Sequence, residues 1–234
     1  MLSVKLIDKV RASKNIFYLK LEKPLAFIFT PGQFARLGIK TSGRENEKII
    51  WRAQTIISNP KSNFLEFYLI FIKNQPFSEL VKLKNVGDSI SLDSQSYGFF
   101  TINRFQISGD LWLLATGTGI APYLSMLTDE KIWQKFKKIT VLHIIRNQTQ
   151  CIYFDRIRYL LNLEFSSKNI NKFSYIPIFT REESEAISYL NGEKRNLKFS
   201  GKKLVDLLKS GHIQEKINCK FSIETSKFML CGTP

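Results

Sequence analysis

Leu111-Trp-Leu-Leu-Ala-Thr-Gly-Thr-Gly-Ile-Ala-Pro-Tyr-Leu-Ser-Met-Leu127 is the stretch on which the fold turns. The unbroken apolar run Leu111 to Ala115 has the character of a strand buried on both faces of a parallel sheet. Gly117 and Gly119 then allow a tight turn and a close approach of backbone to ligand. Pro122 suits the first turn of a helix, where its missing N–H costs nothing, and the spacing predicts that helix over Ala121 to Leu127. Free amides at the turn, with the positive end of the helix dipole, make an anion site whose natural occupant is a dinucleotide pyrophosphate. Gly-x-Gly also occurs in strand-to-helix turns that hold no ligand, and no third glycine follows in the Rossmann spacing, so the rest of the chain has to supply the argument.

The chain of 234 residues is long enough for one large domain or two of roughly 100 residues, and its 44% hydrophobic content is that of a globular protein. No apolar run approaches the ~20 residues of a membrane span; Phe64 to Ile72 is short and interrupted by Glu66. The start, Met1 to Lys9, meets charge too early for a signal peptide, and a cytoplasmic protein is the simplest expectation. Cys151, Cys219 and Cys231 show no Cys-x-x-Cys spacing, which indicates neither a disulfide framework nor a metal centre and leaves any redox cofactor organic. His143 lies inside an apolar strand pattern, far from His212 in sequence; both read as structural or solvent-facing.

A net charge of +15 admits nucleic acid, an anionic membrane or an acidic protein as partner. The basic residues are scattered, with no arginine-rich arm, zinc-finger spacing or RNA-recognition signature. An acidic redox partner together with an anionic cofactor suits that pattern, as does a merely solvated lysine-rich surface. Neither nucleic acid nor membrane is expected.

Up to about Asn103 the chain is β-rich. Val4 to Ile7, Ile16 to Leu21, Phe34 to Ile39, Ile49 to Ile57, Leu65 to Ile72 and Ser89 to Leu92 read as strands, Thr41 to Lys48 as a loop, and Phe77 to Leu83 has helical spacing. Many short strands with one helix predict a closed antiparallel barrel. From about Asp110 strand and helix alternate. Strands are expected at Leu111 to Ala115, Ile139 to Ile145, Phe173 to Phe179 and Phe228 to Leu230, and helices at Ala121 to Leu127, Phe154 to Leu163 and Gly201 to Lys209, the last with Ser200 as N-cap. That is a doubly wound parallel α/β sheet. Two domains follow, 1–105 and 106–234, and the polar stretch Arg181 to Asn196 reads as a long surface loop. Ligands gather beyond the carboxyl ends of such strands, where Thr116 to Gly119, Arg146, Thr180 with Arg181, and Cys231 to Pro234 all fall.

With those segments in place, the chain resembles the ferredoxin/flavodoxin-NADP reductase family of the bacterial FAD type from near its start to Pro234. The carrying segments are Pro31-Gly-Gln-Phe34, Arg52-Ala-Gln-Thr55, Leu65-Glu-Phe-Tyr-Leu69, Gly98-Phe-Phe100, Ala115 to Ser125 and Met229-Leu-Cys-Gly-Thr-Pro234. The resemblance implies a flavin-binding barrel followed by an NADP-binding domain. It also implies a reaction in which NADPH passes a hydride to flavin N5 and electrons leave singly to flavodoxin or ferredoxin. Arg52 would pair with FAD phosphate oxygens, Thr55 would hydrogen-bond N5, and Ala53, Gln54, Tyr68, Pro76, Phe77, Ser78 and Thr118 would contact FAD. NADP(H) would be held by Thr116, Gly117, Gly119, Ile145, Arg146, Thr180, Arg181, Lys202, Cys231 and Gly232, with Cys231 beside the nicotinamide as a second catalytic residue and the basic residues answering the 2′-phosphate. The partner would be an acidic flavodoxin or ferredoxin, the protein a monomer, and no metal is implied.

Two departures from the family pattern stand out. Gln54 occupies the position of an aromatic residue that stacks on the isoalloxazine, and Gln75-Pro76 replaces a glycine-containing turn. The family continues through a last helix and a tail with an aromatic residue over the flavin, whereas this sequence ends at Pro234, so the second domain is expected to lack both. Other readings of the same chain are an NAD(P)H-dependent reductase of free flavin or small acceptors, a truncated and weakly active relic, and a basic interaction module.

Overall fold

The computed structural model describes residues 1–41, 48–146, 153–181, 185–199, 204–218 and 220–232. It comprises two compact units, Met1–Arg104 with Ala121–Asp129, and Phe105–Ile120 with Glu130–Pro234.

In the first unit six strands, β1 (Leu2–Ser13), β2 (Ile16–Glu22), β3 (Phe34–Lys40), β4 (Ile49–Thr55), β5 (Phe64–Ile70) and β6 (Ser89–Tyr97), form one antiparallel sheet in the order β4-β3-β6-β1-β2-β5. Side chains two apart share a face, and this sets the core. Val4 and Leu6, Leu19 and Leu21, Leu37 and Ile39, Leu65 and Phe67, and Ile90 and Leu92 all point into one cluster. Each such side chain contributes about 1.5–3 kcal/mol by leaving water. Just past β4, Ile57 N–H donates to the Glu66 carbonyl of β5 at 2.9 Å, which brings the two end strands of the barrel together beyond Thr55, while β4 itself is laddered to β3.

Helix α1 (Pro76–Leu83) starts on proline and buries Phe77 and Val81 in the same core. At its far end the Lys9 ammonium of β1 donates to the carbonyls of Val81, Lys82 and Lys84, the first of which also accepts the Lys84 N–H at 3.1 Å. Helix α2 (Ala121–Leu127), which follows the glycine turn, also belongs to this unit. Ser125 Oγ donates to the Ser58 carbonyl at 2.9 Å, and Asn59 Nδ2 to the Thr128 carbonyl at 2.6 Å.

The second unit carries β7 (Asp110–Thr116), β8 (Lys138–Ile145), β9 (Phe173–Phe179), β10 (Ala186–Leu190), β11 (Glu193–Leu197) and β12 (Ser226–Cys231), ordered β11-β10-β9-β8-β7-β12. Strands β12, β7, β8 and β9 run parallel, and the chain order reverses between β7 and β12. This is the doubly wound arrangement, and that reversal is the place where such sheets bind ligands. Trp112, Leu114, Leu142, Ile144 and Ile176 pack on one face with Leu207 of α6 (Leu204–Lys209) and Ile213 of α7 (His212–Lys216). On the other face Trp133 of α3 (Glu130–Lys135) meets Phe173 with ring centroids 5.6 Å apart, and Phe154 of α4 (Phe154–Leu161) meets Tyr175 at 6.4 Å. Helix α5 (Glu164–Ser167) is a single turn before β9.

The stretch Arg181 to Asn196 is not a loop throughout, because β10 and most of β11 lie in it as a hairpin. Ala186, Ser188 and Leu190 alternate inward as buried positions. Asn191 and Gly192, at φ 48° and 84°, make the two-residue turn in which both central residues are left-handed. The polar outer strand, Glu193–Leu197, hid the pattern: an edge strand keeps its charges in water and loses its apolar signature. Residues 182–184 of that stretch, 42–47 of the expected Thr41 to Lys48 loop, and Ser200 with Gly201 at the expected start of the last helix lie outside the described residues. The short helices α3, α5 and α7 had no counterpart in the pattern reading.

Candidate functional site

In the first unit the expected cofactor residues fall on three touching elements: α1 packs against β4, and β4 against β5. Strand β4 is at the end of the sheet order, so Arg52 to Thr55 sit on an edge and stay partly or fully exposed. The register with β3 is continuous from Phe34–Thr55 to Lys40–Ile49. Residues three apart on an unbroken strand face opposite ways. Arg52 and Gln54 therefore follow Ile50, which packs on the core, whereas Ala53 and Thr55 follow Trp51 on the other face. Arg52 and Thr55 can serve one ligand if that ligand crosses the strand's edge.

Arg52 has no hydrogen-bond or ion-pair partner among the described residues. A half-buried guanidinium in that state suits an anionic group. Tyr68 of β5 lies directly across from Tyr18, with ring centroids 5.9 Å apart. Phe77 and Ser78 are buried, the first in the core and the second accepting the Ile72 N–H at 3.2 Å. Their side chains are thus committed, and only the backbone amides of the first turn of α1 remain to meet a ligand. The Gln54 side chain is half-buried on the β4 edge.

In the second unit β7 ends in a 3-10 turn, Gly117–Ile120. The turn is held from one side by β12. A Cβ on Gly119 would lie 2.2 Å from the Cys231 carbonyl oxygen, and one on Gly232 would lie 2.0 Å from Thr116 Oγ1. At Gly117 the same construction meets nothing within 4 Å, so the turn is closed at its base and open at its tip. An open backbone loop with no side chain in the way fits the close approach of a pyrophosphate. Thr118 is half-buried on this turn.

The neighbouring strand ends lie side by side. Thr180 N–H donates to the Ile145 carbonyl at 3.0 Å, and Arg181 N–H to the Arg146 carbonyl at 2.9 Å, which leaves both arginine side chains exposed at adjacent ends of β8 and β9. Arg181 is without an ion pair among the described residues. Cys231 is a free, half-buried thiol, and burial pushes its pKa up, so it is neutral near pH 7. Lys202, Cys151 and Cys219 lie outside the described residues.

No protein-family model matches the chain. A flavodoxin/ferredoxin–NADP reductase of Buchnera aphidicola from Baizongia pistaciae is 36% identical over 234 residues, all of this chain and 85% of that one. The chain belongs to the flavodoxin/ferredoxin–NADP reductase family. Its similarity extends to the flavodoxin/ferredoxin–NADP reductase of Escherichia coli K12, at 29% identity over 94% of this chain and 79% of that protein. Among solved structures, a ferredoxin NADP+ reductase from Neisseria gonorrhoeae with bound FAD and NADP superposes with a TM-score of 0.83 at 29% identity, covering 100% of this chain and 85% of that one. The two-unit plan of barrel and doubly wound sheet is therefore that of a reductase of this family.

Within this reductase fold several supporting residues escaped the sequence reading. Gln33, seen only as part of a family segment, accepts from Thr30 N–H at 2.8 Å and Ser96 Oγ at 2.9 Å, and donates to the Gly98 carbonyl at 3.0 Å. It ties β3 to the end of β6. Lys9 reads in sequence as one more surface charge. His143 touches Tyr175 on one side and the glycine turn on the other, and no sequence pattern links residues on two different strands to the tip of a third. No helix among the described residues is long and apolar enough to cross a membrane.

Proposed function

We propose that the chain binds FAD on its barrel and NADPH on its doubly wound sheet and passes electrons from NADPH to a flavodoxin or ferredoxin. The observation that carries this reading is the glycine turn at the β7–β12 switch point, closed at its base by Cys231 and Gly232 and open at Gly117. When bound, FAD supplies the exchange between two-electron and one-electron chemistry. The chain's own residues bind and orient. Arg52 would hold phosphate oxygens through its planar fork, the amides of Phe77 and Ser78 would add donors, and the Thr55 hydroxyl would serve N5 from the other face of β4.

On the nucleotide side, the amides of Thr116 to Gly119 would receive the pyrophosphate. Arg146 and Arg181 would meet the 2′-phosphate, a choice that favours NADPH over NADH. The neutral Cys231 thiol would give the nicotinamide a small, uncharged neighbour. The positive charge of the chain would draw in an acidic partner protein, and the reductase would act as a monomer. Purified protein should be yellow with FAD, lose that colour on NADPH, and regain it when oxidised flavodoxin is added. A preparation that takes up FAD but is bleached equally by NADH, with no response to flavodoxin, would favour the small-acceptor reading. One that retains no FAD would defeat the proposal.

A further inference from the structure

His143 sits in β8, between β7 and β9, with no exposed surface. Its Nε2 lies 2.8 Å from the Gly117 carbonyl oxygen and its Nδ1 3.0 Å from the Tyr175 hydroxyl. A carbonyl oxygen only accepts, so Nε2 carries the proton. In the neutral ring Nδ1 is then bare, and Tyr175 donates to it. Burial pushes the His143 pKa down to about 4, so this neutral form persists throughout the physiological range. Tyr153 meets the imidazole edge-on at 5.5 Å, which fixes the ring plane from another side. The chain Tyr175 to His143 to Gly117 thus runs from β9 through β8 to the tip of the β7 turn.

The peptide between Gly117 and Thr118 is planar and trans, so its C=O and N–H point in opposite directions. Drawing the Gly117 carbonyl inward to His143 aims the Thr118 N–H outward. Gly117, at φ 53° and with no Cβ, has little of its own to resist a flip of that peptide. A flipped peptide would present an oxygen where an anion is to be bound. We infer that His143, held in its Nε2–H form by Tyr175, is a positioning residue that locks the Gly117–Thr118 peptide with its amide turned toward the nucleotide pyrophosphate. This rests on the reading of the turn as the NADPH site. No proton moves, and His143 touches neither nucleotide nor flavin.

The test compares two substitutions in the full chain loaded with FAD. In His143→Gln the amide nitrogen reaches close to the place of Nε2 and still donates to Gly117; in His143→Asn it falls near Nδ1 and does not. Losing one buried hydrogen bond is expected to raise the Kd for NADP+, read from the flavin difference spectrum, about fivefold in His143→Asn. In His143→Gln it should stay within about twofold of the parent protein, even though both variants melt at similarly lowered temperatures. FAD affinity should move in neither. Equal Kd values for the two variants, or values that simply follow the melting temperatures, would reduce His143 to core packing.

Tyr175→Phe, which keeps the ring, guards against a folding failure at position 143 and should raise the same Kd about twofold. Nitrogen-15 NMR of the cofactor-free parent chain reads the tautomer directly. Protonated Nε2 with bare Nδ1 at pH 7 is expected, and the opposite tautomer would overturn the inference without any nucleotide. If the parent protein binds FAD but no NADP+, the reading of the turn itself fails, an outcome distinct from equal behaviour of the two variants.

Discussion

The two units present their candidate anion sites by opposite means. On the barrel the chemistry is in side chains at an edge: Arg52, without a partner among the described residues, and Thr55 stand on a strand whose backbone is already paired with β3. On the doubly wound sheet the chemistry is in the backbone, and the chain has removed side chains to expose it, at Gly117 to the outside and at Gly119 and Gly232 to let β12 close in. A site made of side chains loses function when one is deleted and keeps its fold. A site made of backbone loses its fold when a methyl group is added.

The sharpest way to break that contrast is Gly119→Ala. Its Cβ would lie 2.2 Å from a backbone oxygen of β12, which no rotamer change can relieve, and a loss of about 3 kcal/mol or more is expected. Thermal denaturation of the second unit checks it; an unchanged melting temperature would show that β12 yields freely and that the turn is not clamped.

Next in size is the acid response of the same unit. His143 has a folded pKa of about 4 against 6.5 when exposed, so the unfolded chain binds more protons between those values. Stability is therefore full above about pH 6.5 and is lost as pH falls toward 4, by about 3 kcal/mol from this residue alone. Urea midpoints at pH 7 and 4.5 should differ far less in His143→Gln, which has nothing to titrate.

On the barrel, Arg52→Ala should lower FAD affinity roughly tenfold to a hundredfold, the range for a charge-assisted hydrogen-bonding pair, while the melting temperature of the FAD-free protein stays put. A fall in that temperature would mean that Arg52 is part of the scaffold, and the contrast between the units would collapse. Arg181→Glu is a side-chain change on the backbone-built unit. The KM for NADPH should rise about tenfold more than that for NADH, because only NADPH carries the 2′-phosphate. Equal rises would move the phosphate pocket elsewhere.

The smallest effect is shared by both units. If the charge of +15 steers an acidic partner, stopped-flow reduction of flavodoxin should slow with added salt more steeply than reduction of a neutral small acceptor, since salt screens charges beyond about 8 Å at physiological strength. Parallel salt profiles would leave the charge to the nucleotide alone.

Much of this was legible in the chain before any coordinates. The run Leu111 to Leu127 announced strand, turn and helix because burial on both faces demands continuous apolar residues and a turn demands glycine, both of which are local requirements. Phe173–Phe179 and Ala121–Leu127 occur as read, and the antiparallel barrel follows from alternation within each strand. The hairpin of β10 and β11 was missed because its outer strand is polar, although Asn191-Gly192 is a turn signal in its own right.

What only the tertiary structure decided are relations between residues far apart in the chain. Sequence placed Arg52 and Thr55 in one motif; the unbroken register of β4 with β3 puts them on opposite faces. Phe77 and Ser78 looked like ligand contacts, and packing has taken their side chains for the core and the loop before α1. His143 looked like one apolar-strand position among many, and the parallel ladder brings its ring to Gly117 on one side and Tyr175 on the other. Periodicity reports which way a side chain points relative to its own strand, because that depends on backbone geometry over a few residues. Which partner waits there depends on register across strands separated by many residues, and that is set by the summed packing of the whole sheet.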